Sequence, residues 1–441
     1  MSFATSALAQ ARPPARVRWR IFLFLFVLTI AAYVQRTAVS VAAEPMMPDL
    51  HLTQVQIGWL ETAFLVSYTA LQFPGGVLGQ ALGARVMFTL CGVVSVAAAL
   101  AMPLLPTTFT GEPLFVALLA SQFVLGMSQA PFFAVLSGTL ERWFPSRQWA
   151  LTQGLSSGGI GLGAAAAPAV IASLMVVVGW RAALVLTALP VLALVALWWR
   201  DGRDTPHQHP GVTPEELAEL DLSAQEPAKV QVRVKDVLRL LLNRDLAGLT
   251  LSYTAMNFVF YLITLWSFLY LVQARHFTVM QGGFAAAAPP LCGAAGAALG
   301  GLTGSGLTAR FGARIGLRIT PLITLPLSGA LLLVSVHTAS ALWALVGLSL
   351  AFGVLEMTEA SFWAASMEIG RTDAVAAGGL LNTGGNIGGI IATPLVAALS
   401  AHGNWTAPFV AGAVCALISA ALWLVINPGG PGQIPKKGQP A

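Results

Sequence analysis

The sequence predicts an all-α membrane protein with twelve transmembrane helices in two parallel six-helix halves. Three observations carry that reading. Of 441 residues, 56% are hydrophobic and only 9% carry a formal charge, whereas a soluble chain carries roughly 25% charged residues, so lipid must cover most of the surface. The apolar residues fall into runs of the roughly 20 residues needed to cross about 30 Å of hydrocarbon. One long polar segment, 201–245, divides the chain, and related wording recurs on either side of it.

The N-terminal segment 1–20 carries Arg12, Arg16, Arg18 and Arg20, and the apolar run that follows is too long for a signal-peptide core and lacks a cleavage site. It is read as a retained first helix, 21–43. The next five runs, 58–79, 84–105, 114–140, 150–178 and 181–200, complete an N-terminal bundle over 21–200. In the central segment 201–245, Thr213-Pro-Glu-Glu216 ahead of Leu217-Ala-Glu-Leu220 is a capping-box pattern with proline at the first helical position and predicts a short surface helix. Runs at 246–272, 280–303, 314–336, 341–367, 374–400 and 406–427 form a C-terminal bundle over 246–427, and 428–441 is a tail.

Positive residues are held on the cytoplasmic side. Placing both termini there puts twenty of the 23 Lys and Arg residues inside, with only Arg181 and Arg275 outside and Arg36 within the first run. The halves repeat at a fixed offset. Ser157-Gly-Gly-Ile-Gly-Leu-Gly-Ala-Ala-Ala-Ala-Pro168 matches Thr383-Gly-Gly-Asn-Ile-Gly-Gly-Ile-Ile-Ala-Thr-Pro394 at 226 residues, and Gly83-Ala-Arg85 matches Gly312-Ala-Arg314 at 229. Even span counts make the repeats parallel. Glycine ladders such as Gly75/Gly79/Gly83 and Gly385/Gly389 suit close helix approach rather than binding.

Several functions are excluded. Cys91, Cys292 and Cys415 stand singly, with no CxxC or metal-ligand spacing, and the pair His207 and His209 does not complete a metal site. The net charge of +5 is scattered through short loops, which argues against nucleic acid. No phosphate-binding GxxxxGK[ST], GxGxxG or nucleophile motif occurs in a cytoplasmic position, so ATP-driven transport and hydrolase chemistry are disfavoured. No cofactor and no metal are expected.

The span pattern resembles the major facilitator superfamily. Within it, Tyr33-Val-Gln-Arg-Thr-Ala-Val39, Tyr68-Thr-Ala-Leu-Gln-Phe-Pro-Gly-Gly76, Trp143-Phe-Pro145, Tyr270-Leu-Val-Gln273 and Gly378-Gly-Leu-Leu-Asn382 resemble the anion:cation symporter family, which includes bacterial galactonate, glucarate and hexuronate transporters and sialin. The chain also departs from the family. The loop signature reads Gly76-Val-Leu-Gly-Gln-Ala-Leu-Gly-Ala-Arg85, with Gln80 for the usual acid, so its charge network is expected to be weakened. Where the sugar-acid transporters carry a first-span Asp and a fourth-span Arg and Glu, this chain has Gln35, Gln122 and Gln129. The family's proton site is therefore missing.

An arginine inside the membrane costs about 2.5 to 3.5 kcal/mol on insertion scales, so Arg36 needs a cavity, a partner or both. The resemblance makes it the substrate-binding arginine, and a guanidinium grips a carboxylate with two parallel hydrogen bonds; a structural ion pair across the bundle is the alternative. Glu356, Glu359 and Trp363 recur at i, i+3 and i+7 on one helical face. At about 1.5 Å per residue Glu356 lies roughly 22 Å deep. Two carboxylates so placed do not readily both ionise, which suits a proton carrier. The alternative is that one neutralises Arg36 while the other takes a hydroxyl or indole donor. Tyr33, Tyr68, Trp363 and Asn382 match the family's cavity positions, and Gln72 and Gln129 join them as polar lining. For Asn257, Tyr261 and Asn386 interhelical hydrogen bonding stands at least level with a lining role. Glu61, near the outer end of the second span, reads as a solvated mouth residue.

The sequence thus predicts a monomeric secondary transporter of the inner membrane. It moves a small organic anion, with proton as coupling ion, by alternating access. A zwitterion or amino-acid carrier, an uncoupled uniporter, and a non-transporting receptor or partner protein are the alternatives.

Overall fold

The computed structural model describes residues 17–219, 242–370 and 374–428, and within them the chain is helical, with no β-strand among the described residues. Arg12, Arg16, Lys229, Arg233, Lys235, Arg239, Arg371, Lys436 and Lys437 lie outside the described residues.

Helix α1 (Val17–Leu50) is followed closely by α2 (Gln54–Leu82). The second helix starts before the expected 58 because Thr53 and Gln56 form a capping box, in which the Thr53 N–H donates to Gln56 Oε1 at 2.8 Å and the Gln56 N–H to Thr53 Oγ1 at 3.2 Å. Gly83, at φ +82°, joins α2 to α3 (Ala84–Leu104) in a conformation that a side chain would strain. Helices α4 (Gly111–Gln129) and α5 (Phe132–Trp143) form one expected span, interrupted at Pro131. Helix α6 (Ser146–Asp201) fuses the runs expected at 150–178 and 181–200, turning only at Gly179, φ +78°. In the short α7 (Pro214–Glu219) the Glu216 N–H donates to Thr213 Oγ1 at 3.2 Å, as the capping pattern predicts.

Then follow α8 (Arg244–Arg275), α9 (Val279–Ala285), α10 (Ala288–Phe311) and α11 (Ala313–His337). Helices α12 (Ala341–Glu356), α13 (Glu359–Gly370), α14 (Ala374–Ser400) and α15 (Thr406–Trp423) complete the chain. Among the described residues, ten helical stretches are long and apolar enough to cross a membrane. Glycine sets the closest packing: Gly296 and Gly300 of α10 lie against the backbone of Gly353 and Met357, where a Cβ would collide.

The altered loop signature still ties helices together. Arg85 donates through Nε and Nη2 to the Trp199 carbonyl at 3.0 and 2.6 Å, and its amide donates to Asp204 Oδ1 at 2.7 Å. Asp204 lies three residues beyond α6, so the acid is supplied from there; the Gln80 side chain lies outside the described residues. Among the C-terminal helices a similar contact is made not by Arg314, the repeat's counterpart of Arg85, but by Arg318 one turn later, which donates to the Ile426 carbonyl and, at 2.6 Å, to Asn427 Oδ1.

Among the described residues, six hydrogen bonds cross from the helices before residue 201 to those after 244. Three seal one end: Gln54 to Ser400 at 2.6 Å, Thr62 with Thr393 at 2.6 Å, and Ser173 to Met280 at 3.5 Å. The other three meet at Arg36 and Gln72, deeper in the interface.

Candidate functional site

The Arg36 guanidinium lies over three aromatic faces, 4.7 Å from the Tyr68 centroid, 5.1 Å from Phe64 and 5.4 Å from Tyr33. Such contacts offset part of the cost of burying a cation. Its Nη2 donates to Tyr261 Oη at 3.3 Å, and Tyr261 donates onward to Asn386 Oδ1 at 3.0 Å. Gln72 Oε1 accepts from Asn386 at 3.3 Å and from Asn382 at 3.1 Å. Tyr33, Arg36, Tyr68, Gln72 and Asn382 are thereby joined in one cluster. Tyr261 and Asn386, for which the sequence reading set interhelical bonding at least level with a lining role, are its central links. Arg36 makes no ion pair among the described residues.

The second cluster sits at a helix break. Where the sequence predicts one continuous span, α12 ends at Glu356 and α13 begins at Glu359. Glu359 in a first turn meets the positive end of the helix dipole. It accepts from Tyr253 Oη at 2.9 and 3.2 Å and from Trp363 Nε1 at 2.8 Å. Tyr253 had no signal in the sequence beyond its place on the seventh run. Glu356 Oε1 is buried without a hydrogen-bond partner.

Of the expected lining positions Gln129 lies apart, and Asn257 bonds within its own helix rather than between helices. Gln129 donates to the Ala32 carbonyl at 3.3 Å, one turn of α1 before Arg36, and Asn257 donates to the Tyr253 carbonyl of its own helix at 2.9 Å. Gln35 and Gln122 line a cavity of about 20 Å³ with Thr187, room for a single water. Both amide atoms of Gln35 and Oε1 of Gln122 lack a partner.

Glu61 corrects the sequence reading. It is 2% exposed, not a solvated mouth residue, and its Oε1 has no hydrogen-bond partner. The reason is packing: α2 extends outward against α14, with Gly58 on Ala397 and Pro394 and Thr62 on Thr393, and encloses the position two turns in. Glu61 shares a helix face with Phe64 and Tyr68, the two rings beneath Arg36.

No three His, Cys, Asp or Glu side chains gather to hold a metal among the described residues. His209 Nδ1 accepts from the Gly211 N–H at 3.0 Å while Nε2 faces Arg20 Nη2 at 3.2 Å. Burial, and then the charges of Arg20 and Arg203, hold its ring below the usual imidazole range.

Residues 25–376 match the Major Facilitator Superfamily pattern. The chain belongs to the Major Facilitator Superfamily. It is a multi-pass membrane transporter and not an enzyme. The chain is similar to the probable sulfoacetate transporter of Cupriavidus necator, 28% identical over 418 residues that cover 94% of each chain. The probable galactarate/D-glucarate transporter of Bacillus subtilis is 28% identical over 434 residues, covering 94% of this chain and 93% of the relative. That organism's hexuronate transporter is 27% identical, covering 85% and 86%. Among solved structures, a bacterial homologue of the lysosomal transporter Spinster, inward-facing and occupied, matches with a TM-score of 0.75 at 16% identity over 93% of this chain and 96% of that one. That likeness speaks to the fold alone.

Proposed function

We propose that the protein is a proton-coupled symporter of a small organic anion, a sugar acid or a similar carboxylate. The observation that carries this is Arg36: a guanidinium deep in the interface, set among aromatic faces, with no ion-pair partner among the described residues. A substrate carboxylate supplies the missing countercharge through two parallel hydrogen bonds. The relatives are named for organic acids, which supports the same substrate class.

In this reading the chain has twelve spans in two parallel halves, 21–200 and 246–427, joined by 201–245, with both termini cytoplasmic. It works as a monomer in the inner membrane. The halves rock about the Arg36 and Gln72 contacts, and the sealed end, at Gln54 and Ser400, faces away from the cytoplasm. Tyr33, Tyr68, Gln72, Asn382 and Trp363 line the substrate path, with Gln129 behind them. Glu356 and Glu359 carry the coupling proton: Glu359 takes donors suited to a carboxylate, and the orphaned Glu356 holds the proton.

Uptake of radiolabelled sugar acids into proteoliposomes, with and without an inward proton gradient, tests the proposal. Flux that is accelerated by the gradient and lost in Arg36→Ala is expected; gradient-indifferent flux would leave an uncoupled uniporter or exchanger. The surplus of buried carboxylates over guanidinium favours one second reading, a zwitterion carrier. Competition by neutral amino acids, with none by aldonates, would select it.

A further inference from the structure

The two acids at the helix break have different surroundings. The Tyr253 hydroxyl of α8 reaches both oxygens of Glu359, at 2.9 and 3.2 Å, whereas Trp363 donates to one of them from the next turn of α13 itself. The indole therefore moves with Glu359, and the phenol ties that carboxylate to a neighbouring helix. Tyr253 is fixed for the purpose. It is buried, its ring centroid lies 4.9 Å from that of Phe362 and 6.5 Å from that of Trp363, and a Cβ on Gly385 of α14 would stand 2.7 Å from its Cε1. A glycine at 385 is what admits the ring. Glu356 lies instead with its stem against Gly293 of α10, beside the Phe352 ring, and its Oε1 has no donor. Among the described residues, most other titratable or charged groups on the helices against α13 lie within two turns of a helix end. They are Arg244, Asp245, Tyr270 and Arg275 on α8, Cys292 and Arg310 on α10, and Arg314, Arg318 and His337 on α11; α14 has none, and Glu368 ends α13 itself. Tyr261, midway along α8, is turned to Arg36, and from the other half Tyr33 interacts electrostatically with Glu356.

Hydrogen bonds donated to a carboxylate favour its ionised form, and two close carboxyls in a site without water do not both keep a charge. Acids whose surroundings differ this much divide the protonation states between them. From this we infer that Tyr253 is the positioning residue of the proton site: seated on Gly385, its phenol keeps Glu359 ionised and so leaves the transported proton on Glu356. Tyr253 neither meets the anion nor carries the proton; it acts through Glu359. A second tyrosine two turns along α8 is held in the same way. Tyr261 lies on Gly389 of α14, where a Cβ would stand 2.5 Å from its ring, and its hydroxyl accepts from Arg36. One pair of helices thus sets both phenols, one against the guanidinium and the other against the carboxylate.

The inference rests on the reading that the Glu356–Glu359 pair carries the coupling proton, and the test separates the two. In purified protein at neutral pH, the infrared carbonyl band of protonated carboxyl groups is compared between wild type, Glu356→Gln and Glu359→Gln, each with and without Tyr253→Phe. With Tyr253 in place, Glu356→Gln is expected to remove a protonated carboxyl and Glu359→Gln to remove none. With Tyr253→Phe, Glu356→Gln is expected to leave the band, because Glu359 takes the proton instead. Loss of the band from Glu356→Gln with or without the phenol would overturn the inference and leave the proton site intact. A band that Glu359→Gln removes while Tyr253 is present would also overturn it, since the phenol would then face the protonated partner. If neither substitution changes the band, the proton-pair reading falls and takes the inference with it. In the second arm, uptake of sulfoacetate and of D-glucarate into proteoliposomes is followed against pH. A carboxylate that loses a donor binds its proton at higher pH, so Tyr253→Phe is expected to move the midpoint up by about one to two pH units, the equivalent of one hydrogen bond to a charged group. Gly385→Ala, which keeps the phenol but unseats its ring, should move it in the same direction. An unmoved midpoint in Tyr253→Phe, whatever happens to the maximal rate, would reduce Tyr253 to packing and sink the proposal.

Discussion

The helices before residue 201 and those after 244 face the same interface with opposite chemistry. The N-terminal side offers a guanidinium wrapped in rings, while the amides Gln35, Gln122 and Gln129, where the resemblance places acids and an arginine, are turned among the N-terminal helices themselves. The C-terminal side offers two carboxylates at a helix break, one of them held by Tyr253 and Trp363. In the proposed function Arg36 and the Glu356–Glu359 pair sit on bodies that move relative to one another, and among the described residues no ion pair joins them. A site built this way is completed by what enters it. That distinguishes it from an ion pair within one bundle, which would be satisfied throughout the cycle and would report nothing about ligand.

Removing the cation tests the comparison most severely. Arg36→Ala should lower anion uptake on the order of 100-fold or more, since truncating one partner of a buried charge contact costs about 2 to 5 kcal/mol. Arg36→Lys should recover little, because an ammonium cannot reproduce the fork. Normal uptake in either variant would return Arg36 to a structural role. On the opposite side, Glu356→Gln and Glu359→Gln should flatten the pH dependence of uptake. Glu359→Gln should also weaken uptake by roughly tenfold, because Tyr253 and Trp363 lose a charged acceptor. Coupling that survives in both variants would move the proton elsewhere.

Two smaller effects sharpen the contrast in packing. Gly296→Ala should destabilise the protein by about 1 to 3 kcal/mol, because its methyl meets the Gly353 carbonyl. Gly301→Ala and Gly306→Ala, which open onto empty space, should stay within about 0.5 kcal/mol. Thermal unfolding in detergent separates them, and equal shifts would refute the close approach of α10 and α12. Among the N-terminal helices, Gln35→Met should raise stability by about 1 kcal/mol, since it removes an amide with no partner. A lower melting temperature there would mean that the amide is satisfied by water in the adjoining cavity.

Much of this was legible in the sequence because membrane insertion leaves a one-dimensional record: apolar length, glycine spacing and the placement of arginine. Arg36 was readable as a charge inside an apolar run, and Glu356 and Glu359 as acids on one predicted face. The helix starts at Gln54 and Ser146 were less so, because caps and fused turns depend on local hydrogen bonds rather than hydropathy. Glu61 was misjudged for a related reason: distance from the end of a run measures depth along one helix, whereas burial is set by the helix packed across from it.

The sequence by itself determined that the chain is an all-helical membrane protein with an arginine and a pair of glutamates inside apolar runs, since each of these is a property of composition and spacing; that it is a transporter came from its resemblance to a family. Only the tertiary structure decided which side chains meet. It brought Tyr261, Asn386 and Gln72 into one chain of hydrogen bonds with Arg36, gave Glu359 its phenol and indole donors, and left Glu356 and Glu61 each with an unpartnered oxygen. Apart from the Trp363–Glu359 bond, which spans one helical turn, those hydrogen bonds join residues more than a hundred positions apart. Their existence follows from how helices pack in three dimensions, which no local pattern of residues encodes.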